Sequence, residues 1–115
     1  MALKITNLSS GNIMLIEPKG SLIGGDETDD IKNTITKLLQ DGNRKLIVDL
    51  GNVDYLNSTA LGVLVSGHTS YSKSGGKIKL CNVNKNIQNI FVITKLTLVF
   101  DVFESQKEAI ASFAL

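Results

Sequence analysis

Apolar and polar positions alternate at the start of the chain as they do in a half-buried β-strand. Residues 3–7 show this alternation and residues 13–16 form a short apolar run, so both segments are predicted to be strands. The Ser-Gly-Asn triplet at 10–12 has the composition of a turn, and Pro18 and Gly20 are expected to end the second strand. The chain is therefore predicted to open with a β-hairpin.

Helical spacing first appears after residue 24. The apolar positions there have the i, i+4, i+7, i+8 spacing of an amphipathic helix: Ile31, Ile35, Leu38 and Leu39. The acidic residues at 26–30 could indicate a metal site. A solvated helix start explains them better, because the helix dipole favours negative charge in the first turn. Asp41 and Gly42 are expected to end this helix.

Strand and helix patterns take turns beyond residue 45. Residues 46–50 are mostly apolar and predict a central strand buried on both faces. A second helix is expected to begin near Asn57 or Ser58 and to stop at 74–76. Its inner side should carry Leu61, Leu64, Val65 and Tyr71, with close packing permitted by Gly62 and Gly67. The other segments are predicted as a loop at 51–56, a strand at 78–81, a short helix around 87–91, a last strand at 98–100 and a terminal helix through 108–113.

Strands that alternate with helices imply parallel pairing through right-handed crossovers. The predicted fold class is α/β, with a mostly parallel sheet, an N-terminal antiparallel hairpin and about four helices covering it. One domain is expected to span residues 1–115, since this length suits a single core. Helices on the sheet should leave little room for a deep ligand cavity.

Composition narrows the class of protein further. The net charge is +1, with acidic and basic residues mixed along the chain, which argues against direct nucleic-acid binding. No apolar run approaches the ~20 residues that span a bilayer, and residues 1–6 lack the apolar core of a secretory signal. A lone cysteine, Cys81, cannot form an internal disulfide. We therefore expect a cytoplasmic protein without a membrane segment.

The spacing or the number of the residues excludes three kinds of catalytic or cofactor site. The segment 74–77 places Ser-Gly-Gly-Lys at a helix end, whereas a phosphate-binding P-loop opens a helix. Ser58 lacks the flanking glycines of a hydrolase nucleophile elbow, and the sole histidine, His68, lies about 15 Å further along the same helix. One histidine and one buried Cys81 are too few ligands for a zinc site. We predict no catalytic residue, no metal and no cofactor, and hence a protein that is not an enzyme.

One motif remains, at the start of the second helix. Asn, Ser and Thr are common there simply as helix caps, and that explanation would suffice for the motif alone. The surrounding pattern adds to it: an apolar strand ending in Asp49-Leu50, then a loop, then six residues that open a helix. Those six are Asn57, Ser58, Thr59, Ala60, Leu61 and Gly62.

This arrangement resembles the signature of the anti-sigma factor antagonists of the STAS domain family. The resemblance continues through 75–77, 80–83, 87–91, 94–96 and 103–110, so it covers nearly the whole chain. It implies a STAS-type fold and a role in partner switching during bacterial transcription regulation. It also implies that the segment 57–62 binds the partner.

The resemblance implies a cycle of binding and phosphorylation. The unmodified protein is expected to bind an anti-sigma factor that is also a serine/threonine kinase, which releases the sigma factor. Phosphorylation at Ser58, with Thr59 as a fallback acceptor, is expected to end that binding. A metal-dependent serine phosphatase of the PP2C type would then reset the protein, which we expect to be a monomer or a weak dimer.

Two positions depart from the family pattern. Asn57 stands where the family usually has Asp, and Ile23 stands where many members carry a second acid. These changes keep open a different function, that of a non-phosphorylated STAS interaction or scaffold module in another signalling or lipid-transport assembly. An unrelated enzyme or small-ligand protein is the least favoured interpretation.

Overall fold

Seven strands and four α-helices follow one another in the computed structural model, which describes residues 3–8 and 11–114. In chain order they are β1 (Lys4–Leu8), β2 (Ile13–Glu17), β3 (Lys19–Leu22), α1 (Asp26–Gln40), β4 (Lys45–Asp49), β5 (Asn52–Leu56), α2 (Ser58–Lys73), β6 (Lys77–Cys81), α3 (Lys85–Ile93), β7 (Asp101–Phe103) and α4 (Gln106–Ser112). A single 3-10 turn over Leu96–Leu98 joins α3 to β7.

The main sheet has five strands in the order β1-β2-β4-β6-β7. Strand β1 is antiparallel to β2, and the remaining neighbours are all parallel. This confirms the predicted mostly parallel sheet with its N-terminal hairpin. Of the predicted turn at 10–12, Ser10 lies outside the described residues, as do Met1 and Ala2 of the chain start.

A second, two-stranded sheet pairs β3 with β5 in parallel. The prediction of a loop at 51–56 was therefore wrong, and Gly20 lies within a strand rather than ending one. Both strands are short and the pairing register shifts between Gly20 and Ser21, so neither has a clear alternating pattern. Their pairing joins segments more than thirty residues apart, which no local pattern can reveal.

The last strand also differs from the prediction. Residues 98–100 are not a strand, because Lys95 adopts a left-handed conformation (φ 62°) that turns the chain into the 3-10 turn. Phe100 then enters the core, and strand β7 begins at Asp101. An apolar triplet fits either arrangement, since burial and not sequence decides whether it pairs with β6.

Fewer of the apolar residues of helix α2 are buried than the sequence predicted. Leu64 and Tyr71 are buried as expected, but Leu61 and Val65 are only half-buried. Ala60 and Gly67 complete the buried set. A Cβ atom on Gly67 would lie 3.1 Å from Ile35 Cγ2, so glycine allows α1 and α2 to approach closely.

Burial of two titratable side chains follows from this packing. The Tyr71 hydroxyl donates to Asn43 Oδ1 at 2.8 Å near the end of α1, and burial raises its pKa to about 12. Cys81 is buried in β6, where burial and then the neighbouring Asp49 raise the pKa of the thiol to about 12. The thiol is therefore uncharged at neutral pH, as a core residue should be.

No helix within 3–8 and 11–114 is long and apolar enough to cross a bilayer.

Candidate functional site

The start of α2 is fixed by a single asparagine. Asn57 has an extended backbone (φ −96°, ψ −177°), and its Oδ1 accepts a hydrogen bond from the N–H of Ala60 at 3.0 Å. Its own N–H donates to the carbonyl of Leu22 at 3.0 Å. The cap thus anchors the helix start to strand β3 and makes Ser58 the first helical residue, which confirms the predicted boundary.

The loop between β3 and α1 lies against this helix start. Gly24 has φ +92°, and a Cβ atom there would lie 3.3 Å from Thr59 Cγ2. The Gly24 N–H donates to the hydroxyl of Thr28, which is buried in α1, at 3.0 Å. The loop that follows Ile23 is therefore held against Thr59, and the first turns of α1 and α2 lie next to each other.

Three of the six predicted partner-binding residues lie at the surface. Ser58, Thr59 and Gly62 are exposed, Asn57 and Leu61 are half-buried, and Ala60 is only 3% exposed. The structure therefore brings the hydroxyls of Ser58 and Thr59 together at one exposed helix end. Ala60 packs into the core, and Asn57 acts as the cap.

Two exposed apolar side chains lie on the segments that lead to this helix start, and the sequence did not single out one of them. Ile23 is 60% exposed and Tyr55 is 50% exposed. Tyr55 pairs with Ser21 across the small sheet, one residue before the Leu22–Leu56 pair that leads into Ile23 and Asn57. Tyr55 belongs to this region only through the pairing of β3 with β5, so no local pattern in the sequence indicated it.

The outer face of α2 carries no acidic or strongly basic side chain for most of its length. Between residues 58 and 72 there is no Asp, Glu, Lys or Arg, whereas an exposed helix face is ordinarily charged. The exposed positions are small or hydroxylated: Ser58, Thr59, Gly62, Ser66, Thr69, Ser70 and Ser72.

Gly62 has no role in the packing of the chain itself. A Cβ atom there would meet nothing within 4 Å, so the expected packing role of this glycine was wrong. Glycine inside a helix costs about 1 kcal/mol relative to alanine. Its presence on this face leaves room for another molecule to come close to the backbone of α2.

The only candidate general base that the Sequence analysis named for Ser58 is His68, and the structure does not place it near the Ser58 hydroxyl. His68 lies ten residues further along α2, and its ring packs edge-on against Phe100 with centroids 5.2 Å apart. Its Nδ1 is buried without a hydrogen-bond partner in the described part of the chain. The histidine therefore faces the core side of the helix, and the arrangement around Ser58 suits binding or modification by a partner.

We expect the helix cap formed by Asn57 to contribute measurably to the free energy of unfolding. Asn57→Ala should lower the free energy of unfolding by about 1 kcal/mol, because the N–H of Ala60 loses its acceptor. Asn57→Asp keeps a side-chain acceptor and should stay within about 0.5 kcal/mol of the wild type. Urea denaturation followed by circular dichroism measures both, with the exposed Asn52→Ala as the matched control. Equal stability of Asn57→Ala and Asn52→Ala would contradict the capping role.

Comparison with known proteins identifies relatives of this chain. A family model described as the STAS domain matches residues 4–109. The anti-sigma-B factor antagonist of Staphylococcus aureus is 31% identical over 75 residues, covering 65% of this chain and 69% of the relative. BtrV of Bordetella bronchiseptica is 24% identical over 100 residues, covering 87% and 86% of the two chains.

A solved structure shows the same fold. SpoIIAA of Bacillus in its phosphorylated form superimposes with a TM-score of 0.77 at 16% identity, covering 97% of this chain and 99% of that one. At this identity the likeness concerns the fold alone. It shows that the two chains share the sheet and helix arrangement described above along almost their full lengths.

Proposed function

This chain belongs to the STAS domain family, and we propose that it is an anti-sigma factor antagonist whose binding is controlled by phosphorylation of Ser58. The observation that carries the proposal is the exposed Ser58 hydroxyl at the first position of a capped helix with an uncharged outer face. A relative of this chain carries the name of an anti-sigma-B factor antagonist, which supports the choice of partner class.

The helix start suits a residue that alternates between a hydroxyl and a phosphate. The first N–H groups of a helix have no helical acceptor, and the positive end of the dipole lies there. A phosphate on Ser58 would meet these groups and leave the Asn57 cap in place. The fold is therefore expected to survive modification, so that only the surface changes.

The surface around Ser58 explains why the phosphate would end binding. Ile23, Tyr55 and the outer face of α2 carry no charge in the unmodified protein, although the acidic first turn of α1 lies next to the start of α2. A phosphate adds a charge of about −1.5 to −2, and burying that charge against a neutral partner surface is costly. The unmodified form is the one expected to bind the kinase-type anti-sigma factor, and a PP2C-type phosphatase would restore it.

A second function is favoured by the same neighbourhood. Neither Ile23 nor Asn57 carries the acid that the family pattern has there, and Ile23 is exposed and precedes Gly24, which lies against Thr59. Such a surface suits a permanent contact. In that case the chain would be a non-phosphorylated scaffold module in another signalling or lipid-transport assembly.

Intact-mass spectrometry separates the two functions. The protein is incubated with a kinase-type anti-sigma factor from the same genome, ATP and Mg²⁺, and the site is mapped by fragmentation. We expect one phosphoryl group on Ser58, none on Ser58→Ala, and unchanged transfer to Thr59→Ala. Transfer to Thr59 alone would move the switch to the fallback residue. If an active kinase modifies neither residue, the phosphorylation proposal fails and the scaffold function is favoured.

A further inference from the structure

Four exposed aliphatic side chains lie where α3 ends. Val92 and Ile93 form the last turn of α3, and Leu98 and Val99 lie at the 3-10 turn that follows. Their exposed fractions are 55%, 80%, 83% and 40% in that order. We call this set the α3 corner. The buried Phe100 anchors the turn from within by stacking on Phe91, with ring centroids 6.1 Å apart, so the corner side chains project outwards.

The α3 corner belongs to a basic end of the molecule. Because each helix returns along the sheet to the start of the next strand, the last turns of α1, α2 and α3 lie at the end where β4, β6 and β7 begin. The N–H of Lys77 donates to the carbonyl of Arg44 at 2.9 Å, and Lys77 Nζ lies 3.2 Å from Asp101 Oδ2, two residues after Val99. We call the basic residues of this end the basic edge: Lys37, Arg44, Lys45, Lys73, Lys77 and Lys95.

Few acidic side chains oppose the basic edge. Asp41 pairs with Lys37 and Asp101 pairs with Lys77, both at 3.2 Å. Within residues 3–8 and 11–114, the other four basic residues of the edge form no salt bridge. The opposite end of the molecule carries the acidic first turn of α1. The chain's net charge of +1 therefore conceals a separation of charge between its two ends.

The fold itself does not account for the whole of the basic edge. Lys37 and Lys73 lie in the last turns of their helices, where the helix dipole favours a cation. Lys45 and Lys77 instead begin neighbouring strands and stand side by side in the pairing of β4 with β6, and like charges in that position repel each other. The exposed aliphatic side chains of the α3 corner are a further cost, because they remain in contact with water.

We propose that this end of the molecule binds the surface of an anionic phospholipid bilayer, with the α3 corner inserted among the lipids and the basic edge against the headgroups. Exposed aliphatic side chains flanked by lysines are typical of proteins that lie at a membrane interface. Lysines near an anionic leaflet are attracted by its surface potential. Such binding needs no helix that crosses the bilayer.

Charge and shape together favour a bilayer over a protein partner. The basic edge requires an anionic surface and the α3 corner requires an apolar one beside it, and an anionic bilayer offers both as adjoining layers. Five of the six basic residues are lysines, which are depleted in protein–protein interfaces, whereas arginine is enriched there. Lipids also accept projecting side chains without a pocket of matching shape.

The separation of charge gives the bound protein one orientation. An anionic surface repels the acidic first turn of α1, which lies at the opposite end. Ser58 begins α2 and Lys73 ends it, so the Ser58 hydroxyl lies about 22 Å from the membrane-binding end. The segment 57–62 therefore remains free for a partner, and the inference does not depend on phosphorylation of Ser58.

Co-sedimentation of the full chain with vesicles tests this inference. Vesicles of equal parts phosphatidylglycerol and phosphatidylcholine are compared with vesicles of phosphatidylcholine alone. At low ionic strength we expect binding to the mixed vesicles to be tighter by about tenfold or more. Added salt should weaken this binding, because it screens the attraction between the basic edge and the headgroups.

Two double variants separate the apolar from the electrostatic contribution. Ile93→Gln with Leu98→Gln removes apolar contact without changing the charge, and Lys73→Gln with Lys95→Gln removes two positive charges. Each pair is expected to weaken binding to the mixed vesicles by about tenfold or more. All four side chains are exposed, so the thermal midpoints should remain those of the wild type.

The matched control is Ile23→Gln with Lys107→Gln, which makes the same chemical changes at exposed positions at the opposite end. It should bind the mixed vesicles like the wild type. A wild type that ignores the mixed vesicles at low ionic strength, or that binds both kinds of vesicle equally, overturns the inference. So does a control that loses as much affinity as the double variants, or a variant with Ile93→Gln and Leu98→Gln that binds the mixed vesicles undiminished.

A protein partner at the same end gives a different result. In that case the vesicles bind no protein, and Ile93→Gln with Leu98→Gln abolishes binding to the kinase-type anti-sigma factor, which also overturns the inference. No kinase or ATP is present in the vesicle assay. Failure of the phosphorylation proposal therefore cannot be mistaken for failure of this one.

Discussion

Asp49→Ala is expected to lower the free energy of unfolding by about 3 kcal/mol. The carboxylate of Asp49 is 8% exposed and accepts three hydrogen bonds. Oδ1 accepts from the N–H of Gly51 at 2.8 Å, and Oδ2 accepts from Asn82 Nδ2 at 2.9 Å and from Gln106 Nε2 at 2.6 Å. Hydrogen bonds to a charged group contribute about 1.5–3 kcal/mol each, and removing the acceptor leaves partly buried donors without a partner.

The three bonds join parts of the chain that are far apart in sequence. Asp49 ends β4, Asn82 follows β6 in a left-handed conformation (φ 58°), and Gln106 begins α4. The carboxylate thus fixes the carboxyl edge of the main sheet and the turn that leads into β5. Because β5 leads directly to Asn57, loosening this edge is also expected to loosen the start of α2.

Guanidinium denaturation measures the loss in the free energy of unfolding. The variant Asp49→Asn shows how much of this loss depends on having two acceptor oxygens. The amide keeps the shape of the carboxylate but turns one acceptor into a donor, which faces donors already present. We expect a loss of about 2 kcal/mol for this variant. The exposed Asp54→Ala in β5 is the matched control and should change stability by less than about 0.5 kcal/mol. If Asp49→Ala is as stable as Asp54→Ala, the network does not hold this edge.

Ser58→Asp is expected to weaken binding to a kinase-type anti-sigma factor at least tenfold, whereas Ser58→Ala should bind like the wild type. The hydroxyl lies on an uncharged face, so its removal takes away little. A carboxylate in the same place adds a negative charge to the uncharged outer face of α2, next to the acidic first turn of α1. Tenfold weakening corresponds to about 1.4 kcal/mol, a modest desolvation cost for one charge.

Isothermal titration calorimetry measures this difference in affinity when the wild type, Ser58→Ala and Ser58→Asp are each titrated with the anti-sigma factor. Ser72→Asp is the matched control, because Ser72 is also exposed on α2 but lies about 21 Å further along its axis. That variant should retain wild-type affinity. Equal affinity of Ser58→Asp and Ser58→Ala would rule out a switch based on charge, while equal weakening by Ser58→Asp and Ser72→Asp would point to a long-range effect of net charge.

Local patterns in the sequence determined much of the fold. The alternation at 3–7, the helical spacing from Ile31 to Leu39 and the apolar run at 46–50 each depend on neighbouring residues only. The helix boundary at Ser58 was predictable for the same reason, because an asparagine cap acts within three residues of itself. Order and spacing of these patterns also identified the family, since both are properties of the chain and not of its packing.

Contacts between distant segments decided the rest. The pairing of β3 with β5 brought together the segments that carry Ile23 and Tyr55 just before the start of α2, and it turned a predicted loop into a strand. Lys79 is a further case: strand β6 buries this lysine, and its Nζ donates to Ser112 Oγ at 2.8 Å and lies 4.2 Å from the centre of the Phe113 ring. Burial lowers the pKa of Lys79, while the nearby Asp101 opposes that shift.

The sequence by itself therefore determined the four helices, the strands β1, β2, β4 and β6, and the place of Ser58 at the start of α2. Only the tertiary structure decided what surrounds the Ser58 hydroxyl and which of the residues 57–62 reach the surface. The physical reason is that backbone preference and capping act over a few residues. Burial and strand pairing depend on groups that folding brings together from thirty or more residues away.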